Sequence, residues 1–261
     1  MLLDAVRVSG IMQAVRQSVR EVTSTSRSCG RQGVLGLVTL IALMAIFVVA
    51  APAAAHSGRC TPLTMNVTLN GDMLAPHYRM ASWLCTPDRP TRTVQVLLAG
   101  LTYDHRYWTT SARPAGRSYA QEAVAAGYAV LYVDRLGTGR SDRPPAGEVD
   151  VVSEAYVAHQ VVAAVRDGRL GWYETVIAVG HSYGSMIWTV EAAAYDDVDA
   201  LALTGYMHGA DPLAQEAARA RLHPAAADPA FAGSPDGYLT TMPGTRGALL
   251  PLPARPGSRR L

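Results

Sequence analysis

Between Thr175 and Ala194 the chain reads TVIAVGHSYGSMIWTVEAAA, and few backbone paths can carry that order of residues. Val176–Val179 is a short apolar run rich in β-branched side chains, the mark of a strand buried on both faces. Ser185–Ala194 has no Gly or Pro and favours a helix. Between them lies Gly180-His181-Ser182-Tyr183-Gly184, a G-x-S-x-G. A strand that turns directly into a helix holds the central Ser in a strained conformation. Side chains two residues before and after it would strike the neighbouring strand and helix, hence Gly180 and Gly184. The Ser182 hydroxyl is left above the carboxyl edge of the sheet, beside a helix N-terminus that favours negative charge. His181, its immediate neighbour, points elsewhere.

The N-terminal quarter has a different character. Arg7, Arg16, Arg20, Arg27 and Arg31 outnumber Asp4 and Glu21, and Val34–Ala51 then runs without a charge into Pro52-Ala53-Ala54-Ala55-His56. This is the layout of a secretory signal with Ala53-x-Ala55 as its cleavage site and His56 as the mature start. The long basic region leaves Met12 as an alternative start. The apolar run is nearly long enough to span a bilayer, so an uncleaved membrane anchor is the alternative. Either way residues 1–55 are an address and the rest of the chain is exported. Cys60 and Cys85 are then the only cysteines outside the address segment, which holds Cys29, and an oxidising compartment predicts that they pair. Two buried free thiols are the alternative.

Length and charge narrow the rest. A length of 261 residues suggests one domain, or one domain plus a targeting segment, and a net charge of +2 gives no footprint for nucleic acid. No CxxC, HExxH or Walker loop occurs, the cysteines have no zinc spacing, and no cofactor is expected.

Leu63–Leu69 and His77–Leu84 alternate apolar and polar around Asn70-Gly71-Asp72, which predicts an antiparallel pair. Val94–Leu98 is the third strand. Arg117–Ala126 reads as a helix stopped by Gly127. Ala129–Val133 is the fourth strand, Val151–Arg166 an amphipathic helix, and Asp199–Thr204 the sixth strand after the 176–179 run. His159, on that helix, has no visible partner and reads as a packed or surface residue. Alternation of strand and helix from Val94 onward predicts a mostly parallel sheet with helices on both faces. Ligands of such sheets bind beyond the carboxyl ends of the strands. Three loops converge there: Ala99–Trp108, Asp134–Ser141 and the turn at Ser182.

Over about Val94–Tyr206 these motifs resemble the α/β-hydrolase family. LLAGLTYDHRYW (Leu97–Trp108) stands where the family has its His-Gly oxyanion turn, with Ala99 in place of the His. DRLGTGRSDRP (Asp134–Pro144) looks like the loop after its fourth strand, and GHSYG like its nucleophile elbow. The resemblance implies an α/β fold whose sheet starts antiparallel and continues parallel. It implies an exported serine hydrolase in which Ser182 attacks an ester or related acyl carbonyl of a small molecule. The backbone N–H groups of Leu101 and Tyr183 would stabilise the oxyanion. Asp134, Arg135 and Ser141 would tie loops together. Tyr103, His105, Tyr107 and Trp108 would shape a pocket. A Ser nucleophile argues against dehalogenase or epoxide-hydrolase chemistry, which needs a carboxylate; acyl transfer to an envelope acceptor is a further possibility.

The family's acid and base normally follow a seventh and an eighth strand, and neither strand is legible after Tyr206. Asp211–Leu222 reads as one helix with Asp211 as N-cap and Pro212 at its first turn. Residues 207–245 look like a partial cap, and 246–261 like a disordered basic tail or the product of a lost reading frame. His208, His223 and Asp211 are the remaining candidates, so acid and base are left unassigned. An inactive fragment, or a non-enzymatic ligand-binding relative, is the rival reading. The sixth strand is expected to be an exposed sheet edge.

Overall fold

The computed structural model describes residues 58–72, 74–111, 116–205, 216–217 and 219–245, all within a compact unit spanning Ala54–Leu261. The 34–51 apolar run, His208, Asp211 and the basic tail lie outside the described residues. Among the described residues no helix is long and apolar enough to cross a membrane.

Strand β1 (Arg59–Val67) pairs antiparallel with β2 (Tyr78–Thr86), Leu63 opposite Ser82 and Cys60 opposite Cys85. The predicted disulfide joins Cys60 to Cys85. Four further strands complete the sheet: β3 (Thr93–Leu98), β4 (Ala129–Val133), β5 (Thr175–His181) and β6 (Ala200–Thr204). The order is β1-β2-β4-β3-β5-β6, antiparallel as far as β4 and parallel beyond it. From β3 the chain passes to β4 on one side and then to β5 on the other, so the strand order reverses between β3 and β5, whose adjacent carboxyl ends mark the position where open α/β sheets bind ligands.

Both faces are covered, which is why the central strands read as unbroken apolar runs. On one face Val96, Leu131, Val133 and Ala178 pack with helices α3 (Val151–Arg166) and α4 (Tyr183–Tyr195). On the other, Leu97, Val130 and Tyr132 pack with α2 (Tyr119–Ala125) and with Trp108 from the single turn α1 (Arg106–Thr109). Capping explains the helix starts. Ser118 and Asp150 each form a capping box, with Gln121 and Ser153, so α2 begins after Ser118 and not at Arg117. Gly127, at φ 93°, takes the left-handed position that ends α2.

Two expectations need correction. Leu222, placed by sequence in a helix, belongs to strand β7 (Leu222–Pro224), which pairs antiparallel with β8 (Leu239–Thr241) apart from the main sheet. Residues 216, 217 and 219 are helical. Three-residue strands bounded by Pro and polar residues carry no periodicity to read. Trp108, expected at the pocket, is a core residue only 4% exposed, its ring 5.2 Å from that of Tyr119. The one-turn helix rotates it inward while Tyr103 and His105 face the other way.

Strand β6 is exposed along its whole length, with Leu201 and Leu203 at 43% and 39%, and it ends the sheet among the described residues. At the opposite edge the disulfide closes a loop across 25 residues. Replacing both cysteines by Ala should lower the unfolding free energy by about 3 kcal/mol in the chain-entropy account. Urea denaturation of the two forms measures it.

Candidate active site

The elbow is built by crowding. Strand β5 ends at His181 and α4 begins at Tyr183, so Ser182 must reverse the chain alone; it does so at φ 52°, ψ −116°, outside the regions open to most L-residues. Such a residue costs about 1–3 kcal/mol and persists only when its surroundings fix it. They do so here. A Cβ on Gly180 would come 2.6 Å from the Ser185 backbone, and one on Gly184 would collide with the Leu98 carbonyl. From β6, the Thr204 carbonyl accepts the Ser182 N–H at 2.8 Å and the Ser185 hydroxyl at 3.0 Å. Thr204 Oγ1 in turn donates to the Gly180 carbonyl at 2.9 Å.

The Ala99–Trp108 loop passes directly over the elbow. A Cβ on Gly100 would lie 3.2 Å from both Ser182 Cβ and the Tyr103 ring. Arg135, 6% exposed, holds this loop from below: it donates to the carbonyls of Ala99 (3.2 Å), Gly100 (3.0 Å) and Leu101 (3.1 Å) and pairs with buried Glu154 at 2.7 Å. In a trans peptide the C=O and N–H point in opposite directions. With the Gly100 carbonyl turned to Arg135, the Leu101 N–H faces away from that guanidinium.

Asp134 fixes the next segment of the same loop. Fully buried, its carboxylate accepts the His105 N–H at 2.7 Å and the Arg140 N–H at 2.9 Å, and lies 2.9 Å from His105 Nδ1. Gly139 is required beside it, since any Cβ there would enter the carboxylate. Ser141 Oγ donates to the Asp134 carbonyl at 2.6 Å and accepts the Ala81 N–H at 2.9 Å. Asp134, Arg135 and Ser141 thus bind three loops into one floor.

Above this floor opens a cavity of about 580 Å³ whose walls include Leu101, Tyr103, His105, Arg135, Tyr183 and Tyr238. Ser182 is not itself a wall; its neighbours Leu101 and Tyr183 are. The Tyr238 hydroxyl donates to the Pro144 carbonyl at 2.8 Å and so holds the 222–240 segment over the cavity mouth. Tyr183 lies under the Arg135 guanidinium at 5.1 Å, and burial beside Glu154 raises its phenol well above the usual range. It is held protonated. Tyr107 stands apart from the cavity, stacked on His181 at 4.6 Å.

His181 turns away from the serine, its Nδ1 3.2 Å from Thr204 Oγ1, and burial lowers its pKa. His223, on β7, has Nε2 3.3 Å from Asp228 Oδ2. Among the described residues no histidine hydrogen-bonds the Ser182 hydroxyl.

The family model for the alpha/beta hydrolase fold matches residues 96–240. The chain belongs to that family. Solved structures of the alpha/beta hydrolase kind are similar at low identity. A probable hydrolytic enzyme from Pseudomonas aeruginosa PAO1 is 21% identical, with 55% of this chain and 40% of that one covered and a TM-score of 0.42. A thermostable carboxyl esterase from Bacillus coagulans is 21% identical over 63% and 49%, TM-score 0.47. A membrane phospholipase A described as a bacterial virulence factor is 19% identical over 82% and 58%, TM-score 0.43. This chain therefore spans 40–58% of the length of these structures. No curated protein matches the sequence.

Sequence reasoning missed two parts of this alpha/beta hydrolase site. Glu154 sits in the first turn of α3, where an acidic residue is ordinary and nothing local marks it as the buried partner of Arg135, 19 residues earlier. Tyr238 comes from a segment without readable periodicity. Two outcomes follow. Arg135→Ala leaves Glu154 buried without its partner and should cost about 3–5 kcal/mol in unfolding free energy, by the usual penalty for breaking a buried pair; chemical denaturation tests it. His181 should titrate below its ordinary 6.5 by NMR. Because the folded form binds that proton less readily, its contribution to stability is present above about pH 6.5 and is lost as pH falls.

Proposed function

We propose that this chain is a serine hydrolase acting on a small-molecule ester or related acyl substrate. The carrying observation is the Ser182 backbone, held at φ 52° between β5 and α4 with no room for side chains at 180 and 184. Ser182 Oγ attacks the acyl carbonyl; the ester C–O bond breaks, the alcohol leaves with the proton given up by the serine, and a covalent acyl-enzyme forms. Water then cleaves that ester, releasing the acid and restoring the Ser182 hydroxyl. The backbone N–H groups of Tyr183 and Leu101 receive the developing oxyanion. Each such donor contributes about 3–4 kcal/mol to the transition state in enzymes of this type. Arg135 supports this arrangement by holding the Gly100 carbonyl, which turns the Leu101 N–H toward the opposite side.

The cavity beside Leu101 and Tyr183, part aromatic and part charged, is the proposed acyl or alcohol pocket. The chain divides into an address segment (1–55, a cleaved signal or an anchor), a hydrolase core (56–206), a partial cap (207–245) and a basic tail (246–261). Export is supported by the Cys60–Cys85 bond, since disulfides persist in oxidising compartments. A second reading, a ligand-binding relative or fragment without turnover, rests on one fact: no described histidine hydrogen-bonds the Ser182 hydroxyl.

Fluorophosphonate labelling separates the two readings. A working site labels at Ser182 within minutes, and Ser182→Ala abolishes both the label and p-nitrophenyl ester hydrolysis. Absence of label on the folded wild-type chain would sink the hydrolase reading and leave the binding role.

A further inference from the structure

At the far end of α4 three side chains converge that the elbow does not use. His159 comes from α3, Glu191 from α4 and Asp197 from the turn that follows it. One donor atom from each lies within 4.8 Å of the other two. His159 Nδ1 is 2.6 Å from Asp197 Oδ2. Glu191 is wholly buried, and among the described residues no N–H or hydroxyl donates to either of its carboxylate oxygens or to the buried Oδ1 of Asp197; the two carboxyl groups face each other and can hydrogen-bond only by sharing a proton. A buried carboxylate without donors is among the costliest arrangements a fold can hold unless a counter-charge reaches it.

Among the described residues no arginine reaches these oxygens, and His159 meets Asp197 only at Oδ2. Arg166 is committed to the carbonyls of Glu174 and Asp197 and to the Asp199 carboxylate. Tyr195 closes one side, stacked on the His159 ring at 4.0 Å. The comparable trio Asp104, His105 and Asp134 shows the difference. There Arg106 engages both oxygens of Asp104, and backbone N–H groups engage both oxygens of Asp134.

We infer that His159, Glu191 and Asp197 bind a divalent transition-metal cation of the zinc type, which clamps α3 to α4 and the turn before β6. One imidazole nitrogen with two carboxylates suits zinc better than calcium or magnesium, which take oxygen ligands. A water or a second carboxylate oxygen completes four-coordination. Around an ion with ligands at about 2.1 Å, donor atoms stand roughly 3.4 Å apart. His159 and Asp197 therefore open slightly on binding; the Asp197 side chain, 21% exposed, can rotate to allow it. The role is structural. Glu191 lies nine residues beyond Ser182 on the same helix, about 13 Å along its axis. The inference does not depend on the hydrolase reading.

The test uses the full chain, stripped with EDTA and titrated with zinc chloride. Calorimetry gives the stoichiometry, thermal unfolding gives the shift in Tm, and calcium chloride serves as comparison. One zinc per chain should bind at micromolar concentration or tighter and raise Tm by several degrees, with no effect of calcium. His159→Gln and Glu191→Gln should each lose the bound zinc and the Tm shift; if Glu191→Gln fails to fold, His159→Gln, on a partly exposed side chain, decides alone. Zinc that fails to bind the wild type, or that binds it and His159→Gln alike, overturns the site and leaves the two carboxyl groups sharing a proton.

Discussion

Arg135 and Glu154 meet where almost everything else in the molecule is apolar, and much of the upper sheet surface depends on that contact. The guanidinium is nearly sealed from water and must satisfy its N–H groups inside the protein. It does so on three successive carbonyls of the turn after β3, and Glu154 on α3 supplies the balancing charge. A loop that would otherwise be free to reorient is thereby locked to a helix and to the segment after β4. Asp134, the residue just before Arg135, repeats the device with the opposite sign, gathering backbone N–H groups from 105 and 140. Two adjacent residues of opposite charge thus organise the carbonyls of one stretch and the amides of another.

This floor explains how a strained serine can be kept. Ser182 gains nothing from its own conformation; the close approach of Gly100 and Gly184 and the reach of Thr204 from β6 leave it no alternative. The strain at the serine and the satisfaction of Arg135 are two ends of one packed layer. Among the described residues the Ser182 hydroxyl makes no hydrogen bond, whereas the hydroxyls of Ser185 and Thr204 beside it donate to backbone carbonyls.

Much of this was legible in the sequence because it is local. Strand β4 and helix α3 fall at the residues that periodicity and capping mark. The elbow is legible because Gly, Ser and Gly at fixed offsets have a steric cause. What stayed hidden was long-range or aperiodic. His159 looked unpartnered because Asp197 lies 38 residues away and is brought close only by the packing of α3 on α4. Trp108 seemed one of four pocket aromatics, but a single helical turn sends it into the core. Strands β7 and β8 are too short to show alternation, so the segment over the cavity read as featureless.

The covalent link between Cys60 and Cys85 has a mechanical consequence. Among the described residues strand β1 is the outermost of its edge, and an edge strand under tension ordinarily peels, one pair of hydrogen bonds at a time. Here the second residue of β1 is bolted to β2, which is itself paired with β4. A pull on the chain ahead of Arg59 is therefore carried past the ladder into the interior of the sheet. It loads β2 and β4 in shear, where many hydrogen bonds resist together, and β1 cannot be unzipped from its leading end.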